Sequence, residues 1–200
     1  MPPGLVNYRP EYQHSWGSKT YCTQLRLDLL GQEDAQELLT ALLGDGVALQ
    51  PLKHFILEKT EGNPFFIEEM VQALREQGVL ARPDAVGAHS RAPLPTDLRI
   101  PTTVQGVLAA RIDHLPAAEK ELLQTLAVIG KEFPWGLLQR VVPHADEELQ
   151  RQLFHLQEAE FIYEQPAFPE VEYTFKHALT QEVAYNCGRA EARRKKLTRC

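Results

Sequence analysis

The chain has 200 residues, 44% of them apolar, and a formal net charge of −6. That length suits one or two small domains with a core, the acidic balance argues against nucleic acid as the main partner, and no apolar run reaches the roughly 18 residues of a membrane-spanning helix. The start, MPPGLVNYRPEY, lacks the charged and apolar segments of a secretory signal, and the three distant cysteines Cys22, Cys187 and Cys200 support neither a zinc site nor a disulfide framework, so a reducing cytoplasm is the expected location.

In chain order, Gly4 to Tyr8 is a short apolar stretch before Arg9-Pro10, read as the end of a buried strand. The stretch WGSKT resembles a phosphate loop, but the glycines that the loop requires are replaced by Ser18 and Gln13, so residues 13–20 read as a polar loop. A helix is predicted over Gln32–Leu43, with Ala35, Leu38, Leu39 and Leu42 on one face and Gly44 closing it. Pro51 opens a second helix, with Leu52, Phe55 and Ile56 inward. It ends at the junction TEGNPFFIEEM, residues 60–70. There Gly62 suits a left-handed closing position, Asn63 suits an N-cap, and Pro64 suits a first helical residue that needs no N–H. The third helix carries Ile67, Met70, Val71 and Leu74 inward and stops before Gly78.

Residues 81–100 have no sustained period and read as a linker. Pro101-Thr102 then starts a helix with Val104, Val107, Leu108 and Ile112 inward, and Pro116 starts another that stops at Gly130. A short helix from Trp135 to Val142 follows, and Asp146 is expected to cap the next, which carries Leu149, Leu153 and Leu156. In VEYTFK, Val171, Tyr173 and Phe175 alternate with polar residues, the pattern of a strand with one buried face, and residues 161–164 are its expected hairpin partner. Helices followed by a β-hairpin is the order of a winged helix. A last helix begins near Ala178, with Leu179, Val183 and Ala184 inward. Asn186-Cys187-Gly188 is expected to interrupt it, leaving a basic tail with six basic residues against Glu191 between Arg189 and Arg199. The segment at about 146–160 would be the recognition helix, yet it holds Asp146, Glu147, Glu148, Glu158 and Glu160 against one Arg151. Duplex binding needs the opposite balance, so DNA is not an expected partner. His114, His144 and His155 have no ligand spacing and read as structural or surface residues.

Five segments occur in an order that resembles one family: NYRPEY (7–12), TEGNPFFIEEM (60–70), IPTTVQGVLAARIDHLP (100–116), LLQTLAVIGKEF (122–133) and YTFKHALTQEVAY (173–185). Together they are similar to STAND-type AAA+ ATPase modules, notably those attached to bacterial class III adenylate or guanylate cyclases. The resemblance implies a mainly α fold: residues 1–20 the remnant of an α/β NTPase core with its last strand, 21–80 a helical lid domain, 81–100 a linker, 101–186 a winged-helix domain with a β-hairpin, and 187–200 a disordered basic tail. The Walker A and B segments of the family are absent, which implies a fragment that does not hydrolyse ATP alone, whether as a true product or as a truncated reading frame.

The resemblance also implies three nucleotide-sensing positions. Arg9 matches a sensor arginine that reaches the γ-phosphate, though it also reads as a solvated loop residue. Gly62-Asn63-Pro64 matches a Gly-x-Pro motif whose proline packs on adenine, though it also reads as a plain turn with Phe65 and Phe66 in the core. His177 matches the histidine that donates to the β-phosphate of ADP. Here it stands in Lys176-His177-Ala178, where two of the three motif residues differ, and it also reads as a histidine satisfied by backbone. The implied cofactors are ATP or ADP with magnesium in the full-length protein, bound weakly if at all by this fragment. The implied partners are the missing NTPase core, an effector such as a nucleotide cyclase, and proteins recruited through downstream helical repeats. The alternative is a freestanding helical or winged-helix interaction or transcription module that binds no nucleotide.

Overall fold

A computed structural model describes residues 28–80, 101–143, 145–167 and 170–197, with side chains up to residue 191. The described part is mainly helical, with one small antiparallel sheet. The first unit packs three helices, α1 (Gln32–Leu43), α2 (Gln50–Thr60) and α3 (Pro64–Glu76). Their apolar faces meet in a core of Ala35, Leu39, Leu52, Ile56, Phe66, Ile67, Met70, Val71 and Leu74, all buried. This is the helical spacing that the sequence shows, closed into a core because each stripe needs another to cover it.

The second unit contains α4 (Val104–His114), α5 (Ala117–Ile129), β1 (Glu132–Pro134), α6 (Trp135–Val141), α7 (Asp146–Glu158), β2 (Ile162–Gln165), β3 (Glu172–Phe175) and α8 (Ala178–Leu197). The sheet order is β1-β3-β2. Its core runs from Leu108 and Ile112 through Leu122, Leu126, Phe133 and Leu153 to Phe175 and Ala184. Val104 packs against both cores, and Val107 of α4 belongs to the first, so α4 lies at the seam between the units.

Several expectations need correction. The α4 helix begins at Val104, because Thr103 caps it by accepting from the Gly106 N–H at 3.1 Å. Asp146 does not cap α7; it is the first helical residue, with Ala145 at the cap position. The hairpin gains a third strand, β1, whose Phe133 pairs with Tyr173. That makes β3 the central strand, so Thr174 is buried as well as Tyr173 and Phe175, while Val171 lies at the exposed entrance. No break occurs at Asn186–Gly188: α8 is continuous to Leu197. Gly188 lies against Gln124 of α5, where a β-carbon would stand 3.4 Å from the Gln124 stem. Lys120 of α5 also pairs with Glu191. Packing on α5 thus carries the helix through a residue of poor helix propensity. No helix among the described residues is long and apolar enough to cross a membrane.

Candidate functional site

The junction between α2 and α3 forms as its residue types dictate. The left-handed turn is shared by Glu61 (φ 51°) and Gly62 (φ 78°). Glu61 donates to the Leu57 carbonyl at 3.1 Å, and Asn63 donates to Thr60 at 2.9 Å. The Asn63 side chain accepts from the Phe66 N–H at 3.1 Å, and Pro64 takes the first helical position. The two phenylalanines then part company. Phe66 is buried in the first core, whereas Phe65, half-buried, crosses to the core of the second unit.

There Phe65 meets His177. The rings stack with centroids 4.1 Å apart and planes 19° from parallel. His177 immediately precedes α8, and its Nδ1 accepts from the Leu179 N–H at 3.1 Å. A neutral imidazole whose Nδ1 accepts carries its proton on Nε2. The ring is exposed, so its outer edge presents an N–H donor to solvent. The structure therefore brings together the Gly62-Asn63-Pro64 junction and His177, through Phe65. Arg9 lies outside the described residues. His114 and His155 are exposed; the first places Nδ1 2.6 Å from the Ala110 carbonyl and the second 3.0 Å from Glu119. His144 is also outside the described residues.

The seam beside this stack is held by charges that the sequence reading did not single out. Arg111 of α4 is only 2% exposed and Glu69 of α3 only 1%. The Arg111 guanidinium bonds Glu69, donates to Glu76 through Nη2 at 2.7 Å and through Nε at 3.1 Å, and donates to the Ala159 carbonyl at 2.6 Å. It also lies 4.5 Å from the centroid of the Phe161 ring. Burial works against the Arg111 charge, but Glu76 and Glu69 together outweigh it and raise its pKa. Burial likewise raises the Glu69 pKa, and here Arg111 opposes without prevailing. The asymmetry is physical: Arg111 has two carboxylates and a carbonyl, while Glu69 has one close cation that it shares. A sequence signal for Arg111 existed. It follows Val107 by four positions and Leu108 by three, so it is a charge on an apolar helical stripe.

A second tether lies next to His177. Lys176 donates to Glu160 at 2.6 Å and pairs with Glu68 of α3 at 3.2 Å. Burial disfavours its ammonium, yet Glu160 and Glu68 together hold its pKa above the usual lysine value. Lys176, Glu68, Glu160, Tyr163 and Arg75 line a cleft of about 260 Å³ between the units. That is smaller than the roughly 300–1,000 Å³ of sites that enclose small ligands. A larger groove, about 700 Å³, lies between α5 and α8 and contains none of the candidate residues. Among the described residues no group of His, Cys, Asp and Glu is placed to hold a metal ion.

Residues 31–86 match a family model described as Domain of unknown function (DUF8739), which spans α1 to α3. No curated protein matches the chain.

Proposed function

We propose that this chain is the lid and winged-helix part of an ATP/ADP-dependent signalling switch of the STAND AAA+ type, acting with a P-loop core and an effector such as a nucleotide cyclase. The arrangement supports the winged-helix reading. Helix α5, strand β1, helices α6 and α7, and the hairpin β2-β3 follow one another in that motif's order, with β3 in the middle of the sheet. The single observation that carries the nucleotide reading is the Phe65–His177 stack. It joins the first turn of α3 to the residue that opens α8. Both rings stand at helix N-termini, whose partial positive charge favours a phosphate nearby, while Asn63 and His177 already take the Phe66 and Leu179 N–H groups.

The chain's own residues fit such a group. A nucleoside diphosphate supplies negative charge and a flat base. His177, with Nδ1 engaged by Leu179, has its Nε2–H available for a phosphate oxygen. Pro64, exposed at the start of α3, offers a face for a base. Arg9 is assigned to the γ-phosphate when ATP is bound, and magnesium belongs to the core. In the diphosphate state the His177 bond ties the winged helix closed; loss of that bond frees it to signal. DNA reading is disfavoured because Asp146, Glu147 and Glu158 lie on the exposed face of α7.

The test is His177→Ala in the complete protein, with ADP release and effector output measured together. A charge-assisted hydrogen bond is worth roughly 1.5–3 kcal/mol, so ADP release should speed up by about ten- to a hundredfold, with higher basal output. Unchanged ADP release with lost thermal stability would refute the role of His177 and make it a structural residue; absence of ADP binding by the complete wild-type protein would favour an interaction module that binds no nucleotide.

A further inference from the structure

We infer that Arg111 is a positioning residue: by gripping Glu69 and Glu76 on α3 it fixes that helix in register against the second unit and so sets Phe65 against His177. Phe65, Glu69 and Glu76 stand at i, i+4 and i+11, one stripe of α3 that faces the second unit. Arg111 holds the lower part of this stripe, and Phe65 is one turn above Glu69. On the other side of the seam, the guanidinium bonds the Ala159 carbonyl and lies over the Phe161 ring. The Phe161 carbonyl accepts from the Lys176 N–H at 3.0 Å, and Lys176 directly precedes His177. A continuous path of contacts therefore runs from Arg111 to both rings of the stack, although Arg111 bonds neither ring.

Apolar contact alone does not fix this register. Val104, Val107 and Phe65 join the units, but burial of apolar surface is non-directional and tolerates sliding of one helix along another. A guanidinium is a rigid planar fork, and its donors meet carboxylates only in a narrow range of positions. A buried charge network of this kind commonly adds little net stability over apolar residues of similar size, so its contribution here is orientation. The inference rests on the proposed nucleotide reading only for what the seam binds; the positioning is a property of the free chain.

The test uses the full 200-residue chain with labelled histidines. The ring protons of His177 lie over the Phe65 face, so their NMR resonances report the stack, and Phe65→Leu marks the unstacked position. The triple variant Arg111→Met, Glu69→Gln, Glu76→Gln removes the charges together. It should unfold cooperatively, with the His177 resonances moved most of the way to the Phe65→Leu value. Arg111→Lys keeps the charge but loses the fork, and should move them part of the way. A folded variant of either kind with unmoved His177 resonances overturns the inference. Loss of the cooperative fold in both variants also overturns it, because the network would then serve folding rather than register. ADP release from His177→Ala in the complete protein bears only on the ligand, so the two ideas fail separately.

Discussion

The Leu30 carbonyl oxygen lies 2.4 Å from the place where a β-carbon on Gly62 would stand. The approach is not accidental, since the Leu30 N–H donates to the Gly62 carbonyl at 3.0 Å and ties the entry of the first unit to the α2–α3 turn. Gly62 is thus required twice, by its φ of 78° and by its neighbour.

Gly62→Ala should therefore destabilise the chain by about 2 kcal/mol or more, combining left-handed strain with displacement of the Leu30 segment. Asn63→Ala should cost about 1 kcal/mol, the loss of one N-cap bond. Urea unfolding gives both values from midpoints at constant slope. An Asn63 variant as damaging as the Gly62 variant would contradict this account.

The Arg111–Glu69 pair predicts a pH dependence. Burial raises the folded-state pKa of Glu69 above its ordinary value of 4.5. The native state therefore binds more protons than the unfolded state between those two pKa values, and this group's contribution is present at low pH and lost as pH rises through the folded value. Arg111→Met removes the cation that opposes the rise, so it raises the Glu69 pKa further. Breaking one partner of a buried pair costs roughly 3–5 kcal/mol. The deficit relative to wild type should be largest near neutral and alkaline pH and shrink as the solution is acidified and Glu69 becomes neutral. Unfolding curves for both proteins across that range measure it; a deficit that grows on acidification would reverse the assigned sign.

His177→Ala should have a small structural effect. The ring is exposed, and its one backbone bond is to the Leu179 N–H. Loss of that cap-like bond and of the stack on Phe65 should together cost about 1–2.5 kcal/mol, with the second unit still folded by circular dichroism. A loss comparable to that of Arg111→Met would identify His177 as a structural residue, in conflict with its exposure.

Duplex DNA should not be bound with sequence preference. The exposed positions of α7 include Asp146, Glu147, Gln150 and Glu158, with Arg151 held by Glu148 at 2.6 Å. Phosphate contact needs cations free to replace counterions. Selection from random duplexes at physiological salt is the measurement, and a reproducibly enriched site would overturn the expectation.

The sequence by itself determined the local events. Glycine, proline and asparagine at 62–64 mark the α2–α3 junction because capping and left-handed turns depend on a few adjacent residues. Helical spacing marks α1, α3, α5 and α7 for the same reason, and alternation marks the hairpin. The tertiary structure decided what depends on distant partners. Strand β1 is too short to show a period and exists because Phe133 pairs with Tyr173. Thr174 is buried because β3 is central, and α8 passes Gly188 because α5 supports it. The candidate site divides in the same way. The sequence singled out Asn63, Pro64 and His177, but local pattern does not tell which of two phenylalanines leaves its own core. Nor does it tell that Arg111 will find Glu69 and Glu76 across the seam. Those pairings join residues far apart in sequence, and only packing of the two units selects them.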